Sequence, residues 1–206
     1  MVVADFQSVL AALERFDPAV PWEDARSQVI PILPRLRPMP HDRDLELVRT
    51  MAPPGILVSF GIDLGPALTF VGTPLLERWK IDAPTLAATA LDNLDRLAAS
   101  CTKRAVVHDA FIERPLSVIQ TGRGFGASLL LVPEHLPRLI GPGPHLLLAP
   151  MRDILLCLPG DVDRELAGFL LSEWEALDPN CLHLGAFRHE DGRVVAESLE
   201  EAAGRA

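Results

Sequence analysis

Cysteine is scarce in this sequence and never spaced as a metal site or a redox couple requires. Only Cys101, Cys157 and Cys181 occur, odd in number, far apart and without a Cys-x-x-Cys pair. They read as buried apolar fillers rather than reactive thiols. Basic runs are missing too, and acidic residues outnumber Lys plus Arg by 28 to 19, a net charge of -9 that repels phosphate backbones and anionic lipid. Nucleic acid and membrane partners are therefore disfavoured. Trp22, Trp79 and Trp174 are too few and too dispersed for a base-stacking platform. No segment approaches the ~20 apolar residues of a membrane span. The start, Met1-Val2-Val3-Ala4-Asp5, has no basic region, and Asp5 and Gln7 interrupt any secretory apolar run. A cytoplasmic protein is the expectation.

What is present is enough for a folded body. Hydrophobic residues make up 49% of the 206 and charged residues 23%, and a chain of this size buries roughly 70% of its unfolded surface. No internal linker stands out, so the expected organisation is a single domain over 1–206. It comprises an opening helix at 4–16, a body at 28–196 and a frayed tail at 197–206.

Apolar spacing sets the elements. Phe6, Val9, Leu10 and Leu13 fall at helical intervals after Asp5. Gln28 to Leu33 is apolar and β-branched around Pro31, which suits an edge strand. Ile56, Val58, Phe60 and Ile62 alternate with Leu57, Ser59, Gly61 and Asp63 between turn clusters, and Ala67 to Val71 supplies a hairpin partner. Thr73 is expected to cap a helix through Trp79, with Pro74 at its first position. Asp82 is expected to cap another over Ala83 to Ala98, where Leu86, Ala90, Leu91, Leu94 and Leu97 form a stripe opposite Asp92, Asp95 and Arg96.

Arg104 to Glu113 and Leu116 to Gln120 read as strands, followed by a Gly-rich turn and a helical run from Ala127 toward Ile140 broken near Pro133. His145 to Ala149 and Ile154 to Leu158 read as core strands buried on both faces and joined through Pro150-Met151-Arg152-Asp153. A helix over Val162 to Leu177 with Asp161 as its cap follows, then a last hairpin around Glu190-Asp191-Gly192. The fold class is α+β: a mostly antiparallel sheet built from hairpins, with helices packed on it.

Four segments occur in a telling order: Ile62-Asp63-Leu64-Gly65, Ala90-Leu91-Asp92-Asn93-Leu94, Gly124-Phe125-Gly126-Ala127-Ser128 and Ala149-Pro150-Met151-Arg152-Asp153-Ile154-Leu155. From about Val29 to Val195 the series resembles the YtpQ-like family of bacterial proteins. The resemblance implies a fold and a bacterial cytoplasmic setting, and it brings no accepted activity. Where that family often reads Asp-Gly-aromatic-Asp-Ala-Ser, this chain has Arg123 and Gly126 at the two acidic positions, so no metal or acid role transfers to the turn.

Several residues could carry chemistry. Gly122-Arg123-Gly124-Phe125-Gly126-Ala127, followed by Ser128, lies between a strand and a helical run, where amides and Arg123 could cradle an anion. The alternative is a glycine turn tightened for packing. Asp63 and Asp153 each sit at the end of an apolar strand; they could act together as acid and base or hold a metal, or each could accept amides in its own turn. Arg152 could bind a carboxylate or phosphate, or form an ion pair across its hairpin. Asn93 flanks an apolar stripe and reads as a bridge to a neighbouring loop before a ligand contact.

Helical spacing puts Glu173 on an apolar face with Leu166, Leu170 and Leu177, where an unpaired carboxylate is costly, so it is expected at a partner or a watery edge, as an ion-paired or interface residue before a catalytic acid; the same face could serve self-association. The histidines are scattered, the Gly-x-Ser-x-Gly elbow is absent, and neither a metal nor a cofactor is expected. A complete core pattern without a reactive cluster points to a non-catalytic ligand- or protein-binding domain. The alternative is a small enzyme acting on a phosphorylated or carboxylated metabolite through the Gly122–Ser128 turn and Arg152.

Overall fold

The strongest alternation in the chain makes the centre of the first sheet. In the computed structural model, which describes residues 6–35, 46–53 and 55–199, β1 (Val29–Ile32) and β2 (Arg49–Ala52) flank β3 (Ile56–Asp63) on opposite edges. A short β4 (Leu68–Phe70) extends the β2 side. Val58, Phe60 and Ile62 are buried as their alternation requires. Pro31 lies in β1 opposite Phe60, at a sheet edge where its missing N–H breaks no ladder.

Among the helices α1 (Phe6–Arg15), α2 (Trp22–Ala25) and α3 (Thr73–Trp79), the latter two bury Ala25 and Trp79 in the same core as this sheet. Helix α4 (Ala83–Ser100) lays Leu86, Ala90, Leu94 and Ala98 on β1. Asp82 caps α4 as expected, accepting the Thr85 N–H at 2.9 Å; hydrogen bonding from the Thr85 side chain first, and from this N–H second, lowers its carboxyl pKa. The expected cap of α3 shifts by one residue. Gly72 holds the cap position, while Thr73 is already helical and donates its hydroxyl to the Glu46 carbonyl at 3.2 Å.

The second sheet is three hairpins side by side: β5 (Val106–Phe111) with β6 (Arg114–Gln120), β7 (His145–Met151) with β8 (Ile154–Pro159), and β9 (Ala186–Glu190) with β10 (Arg193–Glu197). Its strand order is β10-β9-β7-β8-β6-β5, antiparallel throughout. The continuous apolar runs of β7 and β8 are buried on both faces. Leu147, Ala149, Leu155 and Cys157 join the core that includes the first sheet and α4, while Leu146, Leu148, Leu156 and Leu158 meet α6 (Arg164–Ala176) on the other side. Each leucine so buried contributes about 1.5–3 kcal/mol, so this hairpin anchors both cores. The α+β class holds, with the strands divided between two sheets. No helix among the described residues is long and apolar enough to cross a membrane.

Four expectations change. The run from Ala127 to Ile140 is not one interrupted helix but 3-10 turns at Ala127–Leu131 and Pro133–His135 followed by α5 (Leu136–Ile140). Pro133 and Pro137 lack the N–H a continuous helix needs. Asp163, not Asp161, caps α6, because its carboxylate accepts the Leu166 N–H at 2.9 Å. The buried side of α6 is Ala167, Leu170 and Leu171, so Glu173 is exposed and needs no partner. The connection between β7 and β8 is also shorter than expected: β7 reaches Met151 through a register shift, leaving Arg152 and Asp153 between the strands. The start of the opening helix with Asp5, residues 41–45 and 200–206 lie outside the described residues.

Candidate functional site

The Gly-rich turn lands on the β7–β8 connection, and Asp153 holds it there. One carboxylate oxygen accepts the N–H groups of Thr121 (3.2 Å), Gly124 (3.1 Å) and Gly126 (3.3 Å) and the Thr121 hydroxyl; the other accepts the Gly122 N–H at 2.7 Å. The amides that the glycine spacing offers to an anion thus embrace a carboxylate from the chain itself. Contact is close enough that a Cβ on Gly126 would stand 2.3 Å from the Asp153 carbonyl oxygen, and the Ala127 N–H donates to the Arg152 carbonyl at 3.0 Å. Asp153 therefore binds another loop rather than its own turn.

Asp63 behaves as its own-turn reading expects, accepting the Gly65 N–H at 2.8 Å, and its second oxygen pairs with Arg123. This ion pair separates two hollows. A cleft of about 610 Å³ lies on one side, with Arg123, Gly124, Arg152 and Asp153 on its walls beside Trp174 and Asp178. A second hollow of about 510 Å³ lies on the other, lined by Asp63, Asn93 and again Arg123. The Asn93 amide bridges to the Arg26 and Val29 carbonyls, each at 2.7 Å, and its oxygen accepts from Arg96. Ser128 has no exposed surface, and its hydroxyl donates to the Pro31 carbonyl at 3.0 Å. Of the eight candidates, the structure brings Arg123, Gly124, Arg152 and Asp153 to one cleft; Asp63 and Asn93 face the other hollow, and Gly126 and Ser128 line neither.

Arg152 departs from its expected ion pair across the hairpin. It has no ion pair among the described residues, and its Nε is buried without a hydrogen-bond partner. The guanidinium sits 5.6 Å from the Phe70 ring centroid, a cation–π contact. Burial lowers its pKa first, and the nearby Arg35 charge adds to that, against an opposing pull from Asp178. An anion bound here would supply the missing partner.

Two groupings escape the sequence reading. The ligand atoms of Asp95, Glu134 and His135 lie within 4.8 Å of one another. Both carboxylates are exposed, however, and His135 Nε2 already meets Asp95 Oδ1 at 2.7 Å, so three donors remain short of a closed zinc shell. Glu175, Cys181 and His183 meet at the end of α6; a Cys-x-His spacing was the only signal, and its third member comes from a helix. Comparisons with protein-family models, curated proteins and solved structures find no match.

Proposed function

We propose that this chain is a YtpQ-like binding domain of the bacterial cytoplasm that holds a small ligand by a carboxylate or phosphate group at Arg152. The observation carrying this reading is the half-buried guanidinium on the cleft wall, which has no ion pair among the described residues and whose buried Nε lacks a hydrogen-bond partner. A half-buried cation with an unpartnered N–H is under-satisfied, so a ligand anion at that position gains what the fold leaves unmet. Trp174 and Met151 give the same cleft an apolar lining for the rest of the ligand. Three free thiols suit a reducing compartment.

Thermal unfolding in a panel of small carboxylates and phosphates tests it. A ligand at about a hundredfold its Kd stabilises by about 2.7 kcal/mol, which for a chain of this size raises Tm by roughly 5–10 °C. Arg152→Ala should abolish that rise and Arg152→Lys should retain part of it. A panel in which no anion stabilises the protein, or in which Arg152→Ala responds as the wild type does, refutes the reading.

A further inference from the structure

The cleft beside Arg152 carries charges of both signs, and they are not equally engaged. Its walls hold two cations, Arg123 and Arg152, and two carboxylates, Asp153 and Asp178, which balance to zero. Arg123 pairs with Asp63, and both Asp153 oxygens accept amides of the Gly-rich turn. That leaves Arg152 and Asp178, one cation and one anion facing the same space. Burial lowers the Arg152 pKa first and the Arg35 charge second, while Asp178 pulls it back up. The two opposite charges therefore lie within electrostatic reach, yet no ion pair joins them. The Phe70 ring, 5.6 Å from the guanidinium, holds Arg152 to its own wall.

Asp178 is fixed by the chain that follows α6. Its carbonyl accepts the Cys181 N–H at 3.0 Å, and its Oδ1 accepts the Asn180 N–H at 2.7 Å. The Leu182 N–H donates to the Pro150 carbonyl at 2.8 Å, which fastens this segment to β7 beside Met151. Arg35 donates to the Pro179 carbonyl and the Asn180 side chain rather than to Asp178. The second carboxylate oxygen, Oδ2, thus has no partner among the described residues. Trp174, four residues earlier on α6, lines the same cleft, so the end of this helix presents an indole and a carboxylate together.

We infer, building on the Arg152 reading above, that the ligand of this cleft is a zwitterion with an apolar body: a carboxylate held by the Arg152 guanidinium and an ammonium held by Asp178 Oδ2, as an apolar amino acid or short apolar peptide offers. A plain anion at Arg152 meets repulsion from Asp178 and leaves its Oδ2 unmatched, whereas a plain cation leaves Arg152 unmatched. A ligand with separated charges and no net charge answers both walls at once. An ammonium has three donors and no acceptor, which suits a carboxylate oxygen with nothing else to accept. Trp174, Met151 and Val118 supply the surface for the apolar body, and about 610 Å³ admits either an amino acid or a short peptide.

Isothermal titration of the full chain tests the second contact with matched ligands. Leucine is compared with 4-methylpentanoate, which is leucine without its amine, and phenylalanine with 3-phenylpropanoate; leucyl-leucine probes the wider charge spacing of a peptide. The zwitterion of a pair, or the dipeptide, is expected to bind about tenfold more tightly than the amine-free acid. Asp178→Asn keeps an acceptor for the Asn180 N–H and should erase that advantage. Tighter binding of leucyl-leucine than of leucine assigns a peptide, and the reverse assigns an amino acid. Amine-free acids that bind as well as the zwitterions, or an advantage that survives in Asp178→Asn, overturn the inference and leave the Arg152 reading standing. The comparison within each pair uses the wild type, so a misfolded Asp178→Asn protein does not spare the inference. If none of these compounds binds while other anions stabilise the fold through Arg152, the zwitterion fails alone; if no anion stabilises it, both fail.

Discussion

Removing the Asp153 carboxylate should loosen the Gly-rich turn by a calculable amount. Four amides and one hydroxyl converge on it. The Gly122 bond is solvent-exposed, so that amide can turn to water; the Thr121, Gly124 and Gly126 amides are part-buried and lose their acceptor. Bonds to a charged acceptor contribute about 1.5–3 kcal/mol each, and at their 3.1–3.3 Å lengths these three fall at the lower end, about 4 kcal/mol together. At ~2–4 °C per kcal/mol for a chain of this size, Asp153→Ala should lower Tm by roughly 10 °C.

Near-ultraviolet circular dichroism melts measure the loss. Asp153→Asn keeps one acceptor oxygen but turns an NH₂ toward the remaining donors, so about half the loss is expected. Formate should restore part of the stability of Asp153→Ala by entering the vacated amide cradle, and should leave the wild type unchanged. A drop below about 2 °C in the alanine variant, or equal stabilisation of both proteins by formate, would refute the view that these amides need an anion.

Gly126→Ala should destabilise strongly because its Cβ meets the Asp153 backbone, while Gly160→Ala meets only Pro144 at 2.9 Å and should cost less; urea titration ranks the two. His145 and His189 pair across β7 and β9 with pKa values lowered chiefly by burial, and for His189 also by its neighbour. Below about pH 6.5 the unfolded chain takes up protons that the fold refuses, so stability should fall as pH drops from there and show no contribution from this pair above it. A pH series of urea melts with His189→Gln checks the slope. Ile112 and Glu113 turn the β5–β6 hairpin with φ of 47° and 60°; replacing them by Asn-Gly should raise stability by about 1–3 kcal/mol, and an unchanged Tm would contradict the strain.

Local pattern carried the strands well because β3, β7 and β8 announce themselves by alternation or by short continuous apolar runs, and Pro31 marks an edge. The Asp82 cap was equally plain, with one acidic residue standing immediately before a helix. Gly160-Asp161-Val162-Asp163 offers two caps of the same chemistry, and only the bond to Leu166 distinguishes them. The phase of α6 was misread because Ala167 is a weak apolar marker beside the exposed Leu177. At the candidate site, glycine spacing revealed a cradle for an anion but not its source, since Asp153 lies 27–32 residues from its donors. Glu175, Cys181 and His183 were beyond reach for the same kind of reason: the α6 terminus supplies the carboxylate and a left-handed residue supplies the imidazole.

The turn and the candidate ligand site have one origin. Arg152 and Asp153 are adjacent and opposite in charge, and an isolated hairpin carrying them could neutralise both within itself. Here the loop of residues 121–126 presents several N–H groups with no strand partner, and Asp153 satisfies them. Its oxygens are then directed at amides, and no carboxylate among the described residues pairs with Arg152. Glycine matters at Gly126 because any side chain there would push the loop off the Asp153 backbone and free the carboxylate for its neighbour. The feature that removes an open anion cradle from the Gly-rich turn is thus the one that leaves an unpaired guanidinium on the wall of the cleft beside it.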